Sequence, residues 1–116
     1  MSRDEPLLLD MLVAAREARD FIASIDKAGF ASSKLHQYAA IRCLEVIGEA
    51  ASVVSTQFRD AHPEIPWRQI IGMRNRLIHA YAQVSLETVW DVLEARLPEL
   101  IDALARLVPP DKSDGA

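Results

Sequence analysis

The chain has 116 residues, half of them hydrophobic and 6% aromatic, with four glycines, one cysteine and a net charge of −4. That length holds one domain, and the composition, free of any Gly-rich or Ser-rich linker, favours an all-α domain over a strand-rich one. The acidic balance argues against broad electrostatic binding of nucleic acid, Cys43 cannot close an intramolecular disulfide, and no Cys/His cluster has metal-ligand spacing.

The opening MSRDEPLLLDML carries acids before a short apolar run, which is not the layout of a signal peptide. A first helix is predicted from Pro6 to about Lys27, with Asp4 as its N-cap and Glu5 in its first turn. Leu8, Leu12, Ala15, Ile22 and Ile25 give it an apolar face, and Arg16, Glu17, Arg19 and Asp20 its wet side. Gly29 marks its end, and residues 28–33 read as a loop.

A second helix is predicted from Ser33, its N-cap, to about Arg59. Tyr38, Ile41, Leu44, Gly48, Ala51, Ser55 and Phe58 lie along one face. The small Gly48 and Ala51 invite the close approach of another helix. Val46 and Val53 lie on the opposite side, a second apolar face suited to a partner subunit. Glu45 and Glu49 flank the main stripe, and either can reach Arg74.

Pro63 and Pro66 bound a connection from Asp60 to Pro66 that cannot continue that helix. The third helix then reads PWRQIIGMRNRLIHAY, from Pro66 to about Ala80. Taking roughly 100° per residue, Trp67, Ile70, Ile71, Leu77 and Ile78 fall within about 120°, with Arg74 near the middle. A cation set in an apolar stripe costs stability unless it is paired or used. Gly72 in mid-helix implies close helix packing. Residues 82–84 form a turn, Ser85 caps a fourth helix, and Leu86, Val89, Leu93, Leu97, Leu100, Leu104 and Leu107 make its stripe, with a kink expected near Pro98. No apolar run approaches the roughly 18 residues that span a bilayer. The expectation is an all-α, up-and-down bundle of four main helices in a single domain at 1–110, a disordered tail at 111–116, and a soluble protein of the reducing cytoplasm.

Arg74, His79 and Tyr81 form R-x4-H-x-Y, the cluster with a chemical use. Histidine suits proton transfer near neutral pH, and arginine is a permanently charged fork for phosphate oxygens. Together they fit metal-independent RNA cleavage. His79 would move the proton of a ribose 2′-hydroxyl or of the leaving 5′-oxygen, and Arg74 would stabilise the transition-state charge. One histidine cannot readily do both, and a two-fold dimer supplies two copies. Asn75 and Arg76 are candidates for supporting substrate contacts, and no cofactor or metal ligand is assigned. The structural alternatives are a salt bridge for Arg74, a helix-end position for His79 favoured by the macrodipole, and a half-buried turn anchor for Tyr81. His36 and His62 have no partner visible in sequence and read as surface residues, and Trp67 and Trp90 as core or interface.

With RCLEVIGEAA before it and VSLETVWDVLEARLPELIDAL after it, this core resembles the HEPN-domain toxins of the HepT type over roughly residues 6–107. The resemblance implies an α-helical homodimer with an RNase site at the dimer cleft, and Arg74 and His79 as its active residues. It also implies a partner, an MntA-like minimal nucleotidyltransferase antitoxin, which in some members transfers AMP to the tyrosine at the position of Tyr81. A non-catalytic module that binds and regulates a nucleotidyltransferase, or an inert helical dimer with a buried Arg–Glu pair, are the competing readings.

Overall fold

The computed structural model describes residues 3–108. The predicted tail at 111–116, with Pro109 and Pro110 before it, lies outside the described residues. Among the described residues there is helix and no strand. The helices are α1 (Asp4–Ile22), α2 (Lys27–Ala31), α3 (Lys34–Val53), α4 (Thr56–Ala61), α5 (Trp67–His79), α6 (Leu86–Asp91) and α7 (Leu97–Leu107). A 3-10 turn spans Tyr81–Gln83, and a π-helical turn at Val92–Arg96 joins α6 to α7. The expected all-α bundle is present. α1 packs against α3 and α7, and α3 also packs against α5. Met11, Ala15 and Ala18 of α1, Ala40 and Ala51 of α3, and Leu93 and Leu104 of the last column are sealed in one core.

Helix limits differ from expectation where a short polar side chain competes for the backbone. α1 stops at Ile22, because Asp26 takes an extended conformation and caps α2, accepting from the Gly29 N–H at 2.8 Å. Gly29 therefore lies inside a helix, with no positive φ, and does not terminate α1. Likewise α3 ends at Val53, short of Arg59, because Ser55 caps α4 by accepting from the Phe58 N–H at 3.1 Å. Ser55 and Phe58 consequently leave the α3 stripe. Asp4 is not the N-cap of α1 either. It sits in the first helical turn, 8% exposed, and its carboxylate accepts from the Ser55 N–H and Oγ–H, both at 2.8 Å. The start of the chain is thereby tied to the α3–α4 corner.

The expected irregularity near Pro98 falls one turn earlier. The Leu97 N–H reaches back five residues to the Val92 carbonyl. Pro98 has no N–H to offer the Leu93 carbonyl, which is left without a helical donor. Arg19 of α1 supplies one, Nη1 donating to Leu93 O at 3.1 Å. Arg19 is thus half-buried and structural rather than part of the wet side of α1.

Candidate active site on helix α5

α5 begins after Pro66 and ends at His79, within a residue of the predicted limits. Its buried side is Trp67, Met73 and Leu77, with Ile70 half-buried, while Ile78 is 41% exposed. The apolar face is rotated toward Met73, and Arg74 stands at its edge rather than its centre. Periodicity counted the aliphatic residues and passed over the methionine.

Gly48 of α3 decides where Arg74 sits. A Cβ built on Gly48 would overlap Arg74 Cβ and lie 3.1 Å from the Ile70 carbonyl oxygen, so only glycine lets the α5 backbone approach α3 this closely. Gly72 does the opposite of what its mid-helix position implied. A Cβ there would meet nothing within 4 Å, so it marks open surface and not a helix contact.

The Arg74 side chain is 28% exposed. Its Nη2 lies 3.9 Å from Glu49 Oε2, at the outer limit of an ion pair, and Nη1 donates to Asn75 Oδ1 at 3.0 Å. Its Nε is buried and has no hydrogen-bond partner among the described residues. Of the two carboxylates that sequence offered, Glu49 is the partner. Glu45 turns to Arg42 at 3.4 Å, and Arg42 also holds Glu49 at 3.6 Å. A partly exposed pair this loose is worth about 0–1 kcal/mol, so the cation is left with donors to spare. Because a guanidinium only donates, Asn75 must present its carbonyl oxygen to Arg74, which leaves its amide N–H groups for a third party.

His79 closes α5 and is exposed, and it makes no hydrogen bond or ion pair among the described residues. It lies five residues beyond Arg74, about 140° around the helix, so within one chain the two occupy different faces of its last turns. Tyr81 opens the 3-10 turn two residues later and is 43% exposed, not a half-buried anchor. Arg76 stands apart from the Arg74–Asn75 pair. Its Nη2 lies 4.0 Å from Met73 Sδ, and it lines a groove of about 550 Å³ bounded by α5 and α7.

The other histidines have partners that are not visible in sequence. His36 Nδ1 is 2.6 Å from Ser33 Oγ, and His62 Nδ1 is 3.1 Å from Glu64 Oε2 with its ring 4.3 Å from that of Phe58. Trp67 and Trp90 are core, as read from sequence: Trp67 Nε1 donates to the His62 carbonyl at 2.9 Å, and Trp90 packs on Phe30. Cys43 is buried, and burial pushes its thiol up to about 11, which keeps it protonated and unreactive. No helix among the described residues is long and apolar enough to cross a membrane.

The all-α bundle described above corresponds to a known class. Residues 11–107 match the family described as ribonuclease HepT-like, and the chain belongs to that family. A protein of Methanocaldococcus jannaschii named as a candidate RNase is 36% identical over 93 residues, 80% of this chain and 85% of that one. A candidate ribonuclease HepT of Thermococcus cleftensis is 39% identical over 93 residues, 80% of this chain and 84% of its own length. A candidate RNase of Caldanaerobacter subterraneus subsp. tengcongensis is 30% identical over 112 residues, 97% of this chain and all of that one. No solved structure matches the chain.

Proposed function

We propose that this chain is an endoribonuclease toxin that cuts RNA without a metal, using Arg74 and His79 at a homodimer cleft, and that a nucleotidyltransferase antitoxin silences it by transferring AMP to Tyr81. The observation that carries the reading is the state of Arg74 in a chain of a ribonuclease family. Its guanidinium is seated by Gly48, matched only loosely by Glu49 at 3.9 Å, and has one nitrogen unmatched. Such a fork suits phosphate oxygens.

In this mechanism His79 takes the proton of the 2′-hydroxyl, and the 2′-oxygen bonds to phosphorus as the P–O5′ bond breaks. The products are a 2′,3′-cyclic phosphate and a 5′-hydroxyl, whose proton comes from the partner subunit's His79. Arg74 holds the charge that grows on the phosphorane oxygens. The outer face of α3 supports a dimer. Leu35 and Val53 are 76% and 66% exposed, and they share that face with Val46 and with the Arg42–Glu49 pair that leads to Arg74. Tyr81 is exposed and two residues from His79. Attack of its phenol oxygen on the α-phosphorus of ATP, with pyrophosphate leaving, would set a negative charge where a substrate phosphate must come.

The test is cleavage of end-labelled RNA by the purified protein in excess EDTA. Wild type should leave cyclic-phosphate ends, and Arg74→Ala and His79→Ala should each lose about 10²–10⁴-fold in rate. Variants that cut like wild type but no longer bind the nucleotidyltransferase would turn the reading into that of a docking module. With the antitoxin and ATP, intact mass should rise by one adenylate on wild type and not on Tyr81→Phe.

A further inference from the structure

Arg74 and His79 account for one phosphate, yet α5 presents more polar surface than one phosphate needs. We propose that Arg59 and Arg68 form a second phosphate-binding subsite, which holds the single strand flanking the cut along the outer side of α5. This rests on the ribonuclease reading above. Arg68, Gly72, Asn75 and His79 follow one another at spacings of four, three and four, and so share one side of the helix. At 1.5 Å per residue the run from His79 to Arg68 covers about 16 Å, the reach of a short stretch of nucleotides.

A groove of about 870 Å³ lies over the N-terminal half of that run, between α4 and α5, and Arg59, Arg68, Gly72 and Asn75 all line it. Neither Arg59 nor Arg68 forms an ion pair among the described residues, and Arg59 Nε is buried without a hydrogen-bond partner. A Cβ at Gly72 would meet nothing within 4 Å, so the helix surface between Arg68 and Asn75 is bare beside Ile71, and a sugar or base can lie flat against it. Asn75 joins the two subsites, since its carbonyl is taken by Arg74, its N–H groups are left free to donate, and the residue lines the groove.

The groove also holds two carboxylates, Asp60 and Glu64, and Glu64 is engaged by His62 at 3.1 Å. With two guanidiniums against two carboxylates there is no broad positive field. The subsite therefore acts through individual arginine–phosphate contacts, which agrees with a chain of net charge −4.

The experiment measures binding of single-stranded RNA made uncuttable by 2′-O-methyl groups, as a tetramer and as a dodecamer, to wild type, Arg59→Gln/Arg68→Gln and Gly72→Leu, each checked for an unchanged helical spectrum. Loss of two contacts should weaken dodecamer binding tenfold or more and reduce the slope of log K against log salt by about 1.4, at roughly 0.7 per phosphate for single strands. The tetramer should lose far less. Gly72→Leu should weaken the dodecamer without changing the salt slope. A dodecamer affinity and slope equal to wild type in the double variant would overturn the proposal, as would a variant that keeps RNA and loses only the protein partner. Unmodified dodecamer given to wild type reports separately on the ribonuclease reading, whose failure leaves the binding series to decide the groove.

Discussion

Two arginines reach across helix contacts in this molecule, and they are treated differently. Arg19 crosses from α1 to the last column and donates to the Leu93 carbonyl, a group that Pro98 and the π-helical turn had left without a donor. That contact gives the carbonyl a donor inside the fold. Arg74 crosses from α5 toward α3, over a glycine that makes room for it, and meets only a 3.9 Å carboxylate and a neighbouring amide. Its Nε is buried without a partner. The same fold that supplies a donor to the backbone carbonyl at Leu93 leaves the Arg74 cation loosely matched. On the proposed reading, the contrast is between an arginine kept for structure and one held for a phosphate.

The largest expected effect breaks that comparison directly. Arg74→Ala should cost RNA cleavage about 10² or more while stability changes by about 1 kcal/mol or less, because the pair it removes is loose and partly exposed. Arg19→Ala should do the reverse: urea melts should show a loss of about 1–3 kcal/mol from an unsatisfied carbonyl, with cleavage at saturating RNA unaltered. Adding Pro98→Ala to Arg19→Ala should recover much of that loss, since the new N–H gives the helix a donor of its own. If Arg74→Ala unfolds the protein as readily as Arg19→Ala, the distinction fails.

Gly48→Ala comes next and links stability to the site. The added methyl overlaps Arg74 Cβ, and the backbone of α5 at Ile70 cannot yield cheaply. Overpacking of this kind costs about 1–3 kcal/mol, and it should push Arg74 off its seat. Cleavage should fall even at temperatures where the variant is fully folded, as followed by circular dichroism alongside the rate. Asp4→Ala is smaller and purely structural. It strips two 2.8 Å hydrogen bonds from Ser55 at the α3–α4 corner and should cost about 1–3 kcal/mol without touching kcat.

Much of this was legible in the sequence, for physical reasons that can be named. Proline at 66 and histidine at 79 bracket α5 because proline fits a helix start, and the apolar spacing in between has one period. Gly48 could be read as a helix contact because a small residue in a buried stripe has few other uses. The limits of α1 and α3 could not, because Asp26 and Ser55 are ordinary polar residues until the tertiary fold lets them cap a new helix. Gly29 and Gly72 misled for different reasons: a glycine can take a positive φ without doing so, and it reports missing bulk while only the neighbours say whether that space is filled. The proline at 98 announced an irregularity but not its position, which the π-helical turn moved one turn upstream. The choice of Glu49 over Glu45 is a side-chain contest, with Arg42 close to both carboxylates, and it has no trace in helical spacing.

The smallest effect sharpens the comparison from the other end, with a pair that is fully matched yet fully wet. Lys27 Nζ lies 2.8 Å from Glu87 Oε2, tying α2 to α6, and both side chains are more than half exposed. The hydrogen bond and charge of Glu87 raise Lys27 above its ordinary 10.5, and Lys27 in turn holds Glu87 below the usual carboxylate value of 4.5. The signs follow by linkage. A carboxylate depressed in the folded state contributes stability above its unfolded pKa and loses it as pH falls through the folded one. A raised lysine contributes below its unfolded pKa and loses it as pH rises through the folded one. Glu87→Gln should therefore lower the urea midpoint slightly at pH 7, and the deficit should vanish under more acid conditions and again in strong alkali. High salt at pH 7 should erase it too, because the pair is screened. Arg19→Ala should show no such salt dependence, since its acceptor is a neutral carbonyl in a partly buried contact. A Glu87 deficit that survives both acid and salt would mean the pair works by packing rather than charge, and would place it with Arg19.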